Sequence, residues 1–258
     1  MIQPLHFFRA LNLRFSRFHF LKVKAILGLL FIIGSNGLFD SKAMANSENK
    51  TIIIQLNPPT ALSGNDLQAL LEKRYSCRNF QNKKLSLDNL GNILWAACGK
   101  KYDSVTQATR TIPSAGATYP LELFVVVGRD SVENFKEGVY HYLIEEHSLK
   151  LILTGDKRQE LCRACLGQDF ITKAPVSLIF SAEFKRTTQR YGDRGARYVY
   201  IEAGHACQNT YLAVTNLGLG AVEVGAFDDR DVKSVIDSNK NLQPIIIMSV
   251  GYPMKWEK

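Results

Sequence analysis

The sequence contains little cysteine, which limits the metal and disulfide chemistry that it can support. The five cysteines, an odd number, are Cys77, Cys98, Cys162, Cys165 and Cys207. Cys162 and Cys165 form a CxxC pair in the helix-like segment KRQELCRACLGQDF, but no second CxxC or histidine pair lies nearby, so the four-ligand zinc pattern is missing. We therefore interpret both cysteines as small core-facing residues and predict no metal site. A strained local disulfide is the alternative.

The sequence also lacks an apolar run long enough to span a membrane. The run AILGLLFII covers residues 25–33 and ends at Gly34, well short of the roughly 20 apolar residues of a spanning helix. Five basic residues precede this run, and AMA follows it at 43–45, which is the pattern of a secretory signal peptide. We predict a signal peptide over 1–45, cleavage after Ala45, and a periplasmic or secreted protein without stable membrane insertion. An uncleaved anchor is the alternative.

The predicted mature chain, residues 46–258, has only a small net charge. The full sequence has a formal charge of +8, of which residues 1–45, with six Lys or Arg and one Asp, hold +5, so about +3 remains. No basic cluster with interleaved aromatics occurs, which argues against nucleic-acid binding. Without repeats, low-complexity tracts or a linker, the mature chain suits one compact domain, or one and a half, with a substantial core.

A dinucleotide-binding glycine loop is absent as well. The segment GLGAVEVG, residues 218–225, is rich in glycine, but a Rossmann loop leaves a strand and enters a helix. Here a predicted helix ends at the glycines and a predicted strand follows them. We therefore interpret Gly218 and Gly220 as a helix C-cap and a turn.

The pattern that remains mixes helices and strands without regular alternation, which favours an α+β fold over a doubly wound sheet. Ser63 or Asn65 is expected to cap a helix over 66–74, and Ser86 is expected to cap a second helix in SLDNLGNILWAACGK. Further helices are expected around Glu160 and over 197–216. The predicted strands are 121–127, a hairpin of GVYHYL and SLKLIL, PVSLIF, AVEVGAF and PIIIMSV.

The segment KRYSCRNF, residues 73–80, places Arg74, Ser76 and Arg78 at alternate positions after a helix. In an extended segment, alternate side chains point to the same side. Two guanidiniums and a hydroxyl could thus converge on a phosphate with bidentate geometry. An exposed basic turn is the alternative.

Two other segments leave backbone uncovered by large side chains. Pro113, Ser114, Ala115, Gly116 and Ala117 directly precede the strand over 121–127, and a planar ring can lie against backbone only where side chains are small. In VEVGAFDD, Gly225 and Ala226 end a predicted strand and again expose backbone. A tight turn is the alternative for each segment.

The motifs RYSCRNF, PSAGATYPLEL, RYGDRGARYVYIEAGHACQN and GAFDD, in this order and spacing, resemble the FMN-dependent nitroreductase superfamily. They are most similar to its SagB-type dehydrogenase branch, which includes the azoline oxidases of peptide natural products. The resemblance covers residues 52–258. It implies a central, mostly antiparallel sheet flanked by helices, in an intertwined homodimer with two FMN sites at the subunit interface.

The resemblance also assigns roles to individual residues. Arg74, Ser76 and Arg78 would hold the ribityl phosphate, with Tyr75 in place of the second arginine of many relatives. Gly225 and Ala226 would lie near the flavin ring. The segment from the partner subunit beside the ring would comprise Pro113, Ser114, Ala115 and Gly116. In azoline oxidases a Lys-Tyr pair precedes the long helix, and here the pair is Arg190 and Tyr191, which makes Tyr191 the candidate catalytic residue.

The predicted helix over 197–216 is apolar around most of its circumference, as expected for a helix buried on several sides. It carries more apolar surface than one small domain can cover, which predicts an obligate homodimer. Its polar residues Glu202, His205, Gln208 and Asn209 then need hydrogen-bond partners. For His205, a structural role is favoured over a catalytic one.

The function predicted from these features is an FMN-dependent oxidoreductase with hydride transfer through flavin N5 and a small-molecule or peptide substrate. Because nicotinamide cofactors are cytosolic, an exported enzyme is expected to oxidise a substrate and to be reoxidised by oxygen or a quinone. Two alternatives stay open: an azoline dehydrogenase of peptide tailoring, and a non-catalytic flavin-binding module. The sequence names neither the substrate nor the electron acceptor.

Overall fold

The computed structural model describes residues 51–60, 64, 66–104, 107–236 and 241–254. All of these residues belong to one compact unit, Asn49–Lys258. The predicted signal peptide, its cleavage site and the two expected caps Ser63 and Asn65 lie outside the described residues. Within the described ranges, no helix has the length and apolar character needed to cross a membrane.

Strands and helices are interspersed along the described chain. In chain order they are β1 (Ile53–Gln55), α1 (Leu67–Lys73), α2 (Leu87–Cys98), β2 (Lys100–Asp103), β3 (Gln107–Arg110), β4 (Leu121–Val127), β5 (Gly138–Leu143), β6 (Ser148–Thr154), α3 (Arg158–Ala164), α4 (Phe170–Lys173), β7 (Val176–Ala182), α5 (Lys185–Tyr191), α6 (Arg194–Asn216), β8 (Gly220–Val224), α7 (Asp229–Val235) and β9 (Gln243–Gly251). A short 3-10 turn, Ala115–Ala117, precedes β4.

Seven of the strands form one sheet in the order β1-β6-β5-β4-β7-β9-β8. Each neighbouring pair in this sheet is antiparallel. The strands β2 and β3 form a separate antiparallel hairpin. The expectation of an α+β fold with a central, mostly antiparallel sheet is confirmed.

The strand β4 lies near the middle of the sheet and has the bounds predicted from its apolar run between Pro120 and Gly128. Alternate side chains of a strand point to opposite faces. Leu123 and Val125 therefore join the core that contains α2 and α6, whereas Phe124 and Val126 join the core that contains α3 and α7. Both faces of the sheet are thus buried against helices, as a continuous apolar strand requires.

The N-caps of two helices show how local sequence sets their start. Ser86 accepts the backbone N–H of Asn89 and caps α2 as predicted. Asp66, rather than Ser63 or Asn65, caps α1 by accepting the N–H of Ala69. The expected caps were wrong because α1 begins later than the polar segment suggests, and Asp66 is then the residue next to its first turn.

The helix α6 begins three residues earlier than predicted and ends at Asn216 as expected. Gly218 follows it with a φ of +68°, the left-handed conformation typical of the residue after a helix. Gly220 is the first residue of β8, so its expected place in a turn was wrong. The chain enters the strand immediately after Leu219, whose N–H binds the carbonyl of Val214.

The CxxC cysteines lie in and directly after α3, and both thiols are free and buried. Burial raises the pKa of Cys165 to about 12, so this thiol is neutral and unreactive near neutral pH. Among the described residues, no group of three or more His, Cys, Asp or Glu side chains could hold a metal ion. The interpretation of Cys162 and Cys165 as core-facing residues is confirmed.

Candidate active site

The segment that follows α1 lies along the free edge of β8. Ser76 forms a parallel bridge with Ala221, and the N–H of Cys77 donates a hydrogen bond of 2.8 Å to the Ala221 carbonyl. Ser76 and Arg78 are exposed and Arg74 is half-buried. This pairing brings two of the three predicted segments, 74–78 and 222–226, to one place in the fold.

Tyr211 of α6 connects these two segments. Its ring centroid lies 5.2 Å from the guanidinium carbon of Arg74, and its hydroxyl is 3.5 Å from Oγ of Ser76. The same hydroxyl accepts the backbone N–H of Glu223 at 3.0 Å. Tyr211 was not predicted as a site residue, because its sequence context marks only a buried helix face.

Glu223 places a carboxyl close to Arg74. Burial raises its pKa, whereas a hydrogen bond with Cys207 and the charge of Arg74 oppose that rise. Burial likewise raises the pKa of Cys207, and the carboxyl of Glu223 raises it further. The thiol therefore stays protonated near neutral pH and donates to the Glu223 carboxyl beside Arg74.

The end of β8 has open backbone, as the sequence suggested. Gly225 and Ala226 are both exposed, and a Cβ placed on Gly225 would meet nothing within 4 Å. The carbonyl of Ala226 accepts a hydrogen bond of 3.3 Å from the side-chain amide of Gln168. Tyr75, between the two phosphate-site candidates Arg74 and Ser76, is also exposed.

The third predicted segment forms a tight turn before β4. Gly116, Ala117 and Tyr119 have positive φ angles of 59°, 53° and 44°. Pro113 and Gly116 are exposed, and Ser114 and Ala115 are half-buried. The turn therefore presents a surface of small side chains and main-chain atoms, as predicted.

Ser114 connects this turn to α6. Its hydroxyl accepts the N–H of Tyr119 at 3.0 Å and donates to Oε2 of Glu202 at 2.7 Å. Glu202 is 4% exposed, and burial raises its pKa to about 7, against the opposing influence of the Ser114 hydrogen bond and the charge of Arg110. A buried carboxyl that titrates near neutrality thus lies directly beneath the turn.

Arg190 and Tyr191, at the end of α5, contact the same turn. A guanidinium nitrogen of Arg190 donates a hydrogen bond of 2.9 Å to the carbonyl of Gly116. A Cβ on Gly116 would lie 2.5 Å from the Tyr191 hydroxyl, so any larger residue at this position would displace the phenol. Tyr191 also packs edge-on against Tyr198, with ring centroids 5.0 Å apart. Tyr191, the candidate catalytic residue, therefore lies beside the small side chains and main-chain atoms that the turn before β4 presents.

Within one chain these residues form two groups. One group contains segments 74–78 and 222–226 around Tyr211, and the other contains the turn 113–119 with Tyr191 around Glu202. Glu202 and Tyr211 are nine positions apart on α6, which corresponds to roughly 13.5 Å along the helix axis at about 1.5 Å per residue.

Among the other polar residues of α6, His205 and Gln208 differ from expectation, whereas Asn209 has the expected hydrogen-bond partners. His205 and Gln208 are exposed, so the expected buried and hydrogen-bonded His205 was wrong for the single chain. Asn209 is half-buried, and its side-chain amide donates to the carbonyls of Ala96 and Thr111, both at 3.3 Å. The exposed face of α6 also carries two large apolar side chains, Tyr200 and Ile201, which are 57% and 49% exposed.

Comparison with known proteins identifies the family. The model of the nitroreductase family matches residues 71–252, most of the chain. The chain belongs to the nitroreductase family. A protein of Methanocaldococcus jannaschii named as a nitroreductase is 46% identical over 185 residues, which are 72% of this chain and 90% of that protein. Membership of the nitroreductase family makes the chain an oxidoreductase.

Two other relatives are named as processing proteins for microcin B17 and trifolitoxin. The microcin B17-processing protein McbC of Escherichia coli is 31% identical over 67% of this chain and 65% of McbC. The trifolitoxin-processing protein TfxB of Rhizobium leguminosarum is 30% identical over 74% of this chain and 53% of TfxB. The chain thus spans between half and two thirds of these relatives, and the likeness supports the SagB-type branch.

Solved structures have the same fold. A protein of Ralstonia eutropha named as a nitroreductase superposes with a TM-score of 0.67 at 29% identity, covering 85% of this chain and 97% of that one. A chain of the E. coli microcin synthetase McbBCD complex, solved with truncated pro-MccB17 bound, superposes with a TM-score of 0.62 at 26% identity and covers 85% of both chains. The nitroreductase-like fold expected from the sequence motifs is therefore confirmed.

Proposed function

We propose that this chain is an FMN-dependent oxidoreductase that works as a homodimer. When bound, FMN would supply hydride transfer at its N5 atom, with the electrons passing to a second substrate. The observation that carries the proposal is the pairing of segment 74–78 with β8, which joins an arginine-containing segment to open backbone at Gly225. The arginines would bind the phosphate of FMN, and the open backbone would let its flat ring approach closely.

The residues of the first group fit the phosphate end of FMN. Arg74, Ser76 and Arg78 lie in one extended segment, so their side chains would face the phosphate together. The ring of Tyr211 lies against the guanidinium of Arg74 and holds it in place. Arg78 is exposed and free to form bidentate hydrogen bonds with phosphate oxygens.

Two features support a dimer in which each FMN site takes residues from both chains. The turn 113–116 lies apart from the phosphate-site candidates in one chain, so the turn of a second chain would complete the site. The exposed face of α6 offers Tyr200 and Ile201 beside Gly204, which is exposed and has no neighbour within 4 Å of an added Cβ. Large apolar side chains next to a small residue suit close packing against a second helix.

Tyr191 would act at the substrate in this arrangement. Because it contacts the turn of its own chain, both would face the FMN held by the arginines of the partner subunit. Its phenol would orient the substrate or hold a proton during hydride removal. Arg190 binds the Gly116 carbonyl and carries an almost permanent positive charge, so it would fix the turn without exchanging protons.

A second candidate function is the oxidation of azoline rings in a modified peptide. It is supported by the position of Tyr191 beside the turn and by the likeness to McbC and TfxB. A purified protein that oxidises an azoline-containing peptide, and a cyclodehydratase gene next to its own gene, would favour this function. Failure on such peptides, with reduction of FMN by other donors, would favour a different substrate.

The location of the protein determines the donors that it meets. If residues 1–45 are a signal peptide, the protein acts outside the cytosol and without nicotinamide cofactors. We therefore propose a substrate dehydrogenase that is reoxidised by oxygen or a quinone, with FMN acquired separately from export.

A visible spectrum of protein purified from the exported fraction tests the proposal. We expect the absorption bands of an oxidised flavin, a stoichiometry of one FMN per chain and a dimer by light scattering. Sequencing of the N-terminus should begin at Asn46. A colourless protein that stays colourless when FMN is added would overturn the proposal in favour of a flavin-free binding module.

A further inference from the structure

Glu202 of α6 accepts a hydrogen bond from Ser114 in the turn 113–119. Its Oε2 lies 2.7 Å from Oγ of Ser114, and that hydroxyl also accepts the N–H of Tyr119. We infer that Glu202 is a positioning residue that holds the turn 113–119 through Ser114 and does so in a proton-dependent way. The inference rests on the proposed function, in which this turn lies against the flavin ring.

The turn needs such an anchor because its backbone is strained. Three of its residues have positive φ, and two of these, Ala117 and Tyr119, are not glycine. Residues held in this region cost free energy and persist only where surrounding contacts fix them. The hydrogen bonds of Ser114 span the turn from its start to Tyr119 and connect it to α6. Glu202 therefore anchors the turn to that helix, while Arg190 and Arg186 of α5 bind the carbonyls of Gly116 and Tyr119.

Among the described residues, the titratable and charged groups that interact with Glu202 come from β3 and α2. Arg110 of β3 and the thiol of Cys98 in α2 interact with it, and His205, one turn further along α6, is exposed. Burial raises the pKa of Cys98 to about 12, so this thiol is neutral near pH 7. Glu202 is therefore the member of this buried group that titrates near neutral pH.

The direction of the proton dependence follows from linkage. The hydrogen bond from Ser114 lowers the pKa of Glu202 against the larger effect of burial, which means that Ser114 binds the ionised carboxylate more strongly than the acid. By reciprocity, ionisation of Glu202 strengthens its hold on Ser114. The turn should accordingly be held more tightly above about pH 7 than below it.

Hydrogen exchange at the Tyr119 amide of the purified flavin-free protein tests this mechanism directly. Because a charge-assisted hydrogen bond is about twice as strong as a neutral one, the protection of this amide should rise roughly fivefold between pH 5.5 and pH 8.5. The amide of Val125 in β4 serves as the internal reference for global opening. The protection is corrected at each pH for the intrinsic exchange rate.

Variants separate the roles of the two side chains. Glu202→Gln keeps a neutral acceptor of the same shape, so it should retain the protection seen at pH 5.5 and lose the rise. Ser114→Ala should lose protection at both pH values, and adding Glu202→Gln to it should change nothing further. Glu160→Gln, which removes an acid from the distant helix α3, is the matched control and should keep the rise. A rise that persists in Glu202→Gln, or no rise in the unmodified protein, overturns the inference.

A second measurement connects the turn to the flavin. With FMN bound, the visible flavin spectrum should change with an inflection near pH 7 that Glu202→Gln removes and Glu160→Gln keeps. A second outcome is that the exchange at Tyr119 follows expectation while the flavin spectrum shows no inflection near pH 7. That result would mean that Glu202 does not position the turn against the flavin, and the proposed function would still stand. Absence of FMN binding at all pH values, by contrast, overturns the proposed function.

Discussion

Arg190 donates a hydrogen bond to the carbonyl of Gly116, and the adjacent Tyr191 hydroxyl occupies the space that a side chain at Gly116 would need. The end of α5 and the turn before β4 are therefore fitted to each other, although 74 residues separate them in the sequence. This fit fixes the position of the candidate catalytic hydroxyl of Tyr191 relative to the turn. Substitution of Gly116 tests its importance.

Gly116→Ala should displace Tyr191 and reduce turnover. The added methyl would lie 2.5 Å from the Tyr191 hydroxyl, and the φ of +59° is unfavourable for alanine. We expect a loss of stability of about 1–2 kcal/mol from the backbone alone and a further loss of activity from the displaced phenol. Urea denaturation and steady-state kinetics measure the two effects.

The matched control is Gly167→Ala, at which φ is +78° and no atom lies within 4 Å of the new Cβ. It should show the backbone effect on stability without the loss of turnover. Equal activities for the two variants would show that the contact between Gly116 and Tyr191 has no role in catalysis.

Arg78→Ala should weaken FMN and leave riboflavin nearly unaffected. A charge-assisted hydrogen bond contributes roughly 1.5–3 kcal/mol, so the loss for FMN is about ten- to a hundredfold. Because Arg78 is exposed, the free energy of unfolding should change by only about 0.5 kcal/mol. Fluorescence titration with both flavins measures the difference.

Arg129→Ala is the control for this experiment, since Arg129 is an exposed arginine on a loop remote from segment 74–78. Its affinity for FMN should equal that of the unmodified protein. Equal losses for FMN and riboflavin in Arg78→Ala would mean that Arg78 supports the structure of the segment and does not bind phosphate.

Ile201→Asp should prevent dimer formation. A carboxylate beside Tyr200 and Gly204 on the exposed face of α6 would have to be desolvated in the interface. Light scattering at micromolar concentration should then report a monomer, and FMN binding should fall with it. Leu166→Asp introduces the same charge at an equally apolar but distant side chain, 71% exposed, and should remain dimeric. A dimer in both variants would contradict the assignment of this face.

The stability of the protein should fall as Glu202 ionises. Because burial raises its pKa in the folded protein from 4.5 to about 7, its favourable contribution is complete below about pH 4.5 and is lost as the pH rises through 7. Relative to Glu202→Gln, the free energy of unfolding should decrease by up to about 3 kcal/mol over this window, and by less where solvent screens the carboxyl. Urea denaturation at pH 5 and pH 8.5 measures the change. A difference between the two proteins that is the same at both pH values would show that Glu202 does not titrate in this range.

Local sequence predicted the elements whose signals are local. The apolar run between Pro120 and Gly128 gave the bounds of β4, and Ser86 gave the start of α2, because strand composition and helix capping depend on neighbouring residues. The segments of the candidate site were also recognisable, since phosphates require cations and flat rings require small side chains.

The contacts that organise the site were not predictable in the same way. Ser114 and Glu202 are 88 residues apart, and Ser76 and Tyr211 are 135 residues apart, so their hydrogen bonds exist only after the sheet and α6 have packed. The single-chain exposure of His205 was missed for a related reason. Composition shows that a helix is apolar on many sides, but it does not show which chain covers each side.

The bridge between Ser76 and Ala221 also places a segment of chain beside an edge of the sheet. β8 is an edge strand, and an uncovered edge is a template for pairing with other chains. The segment 74–78 covers this edge, whereas the opposite edge, β1, is only three residues long. Substitutions that unseat the segment would therefore promote aggregation as well as weaken cofactor binding.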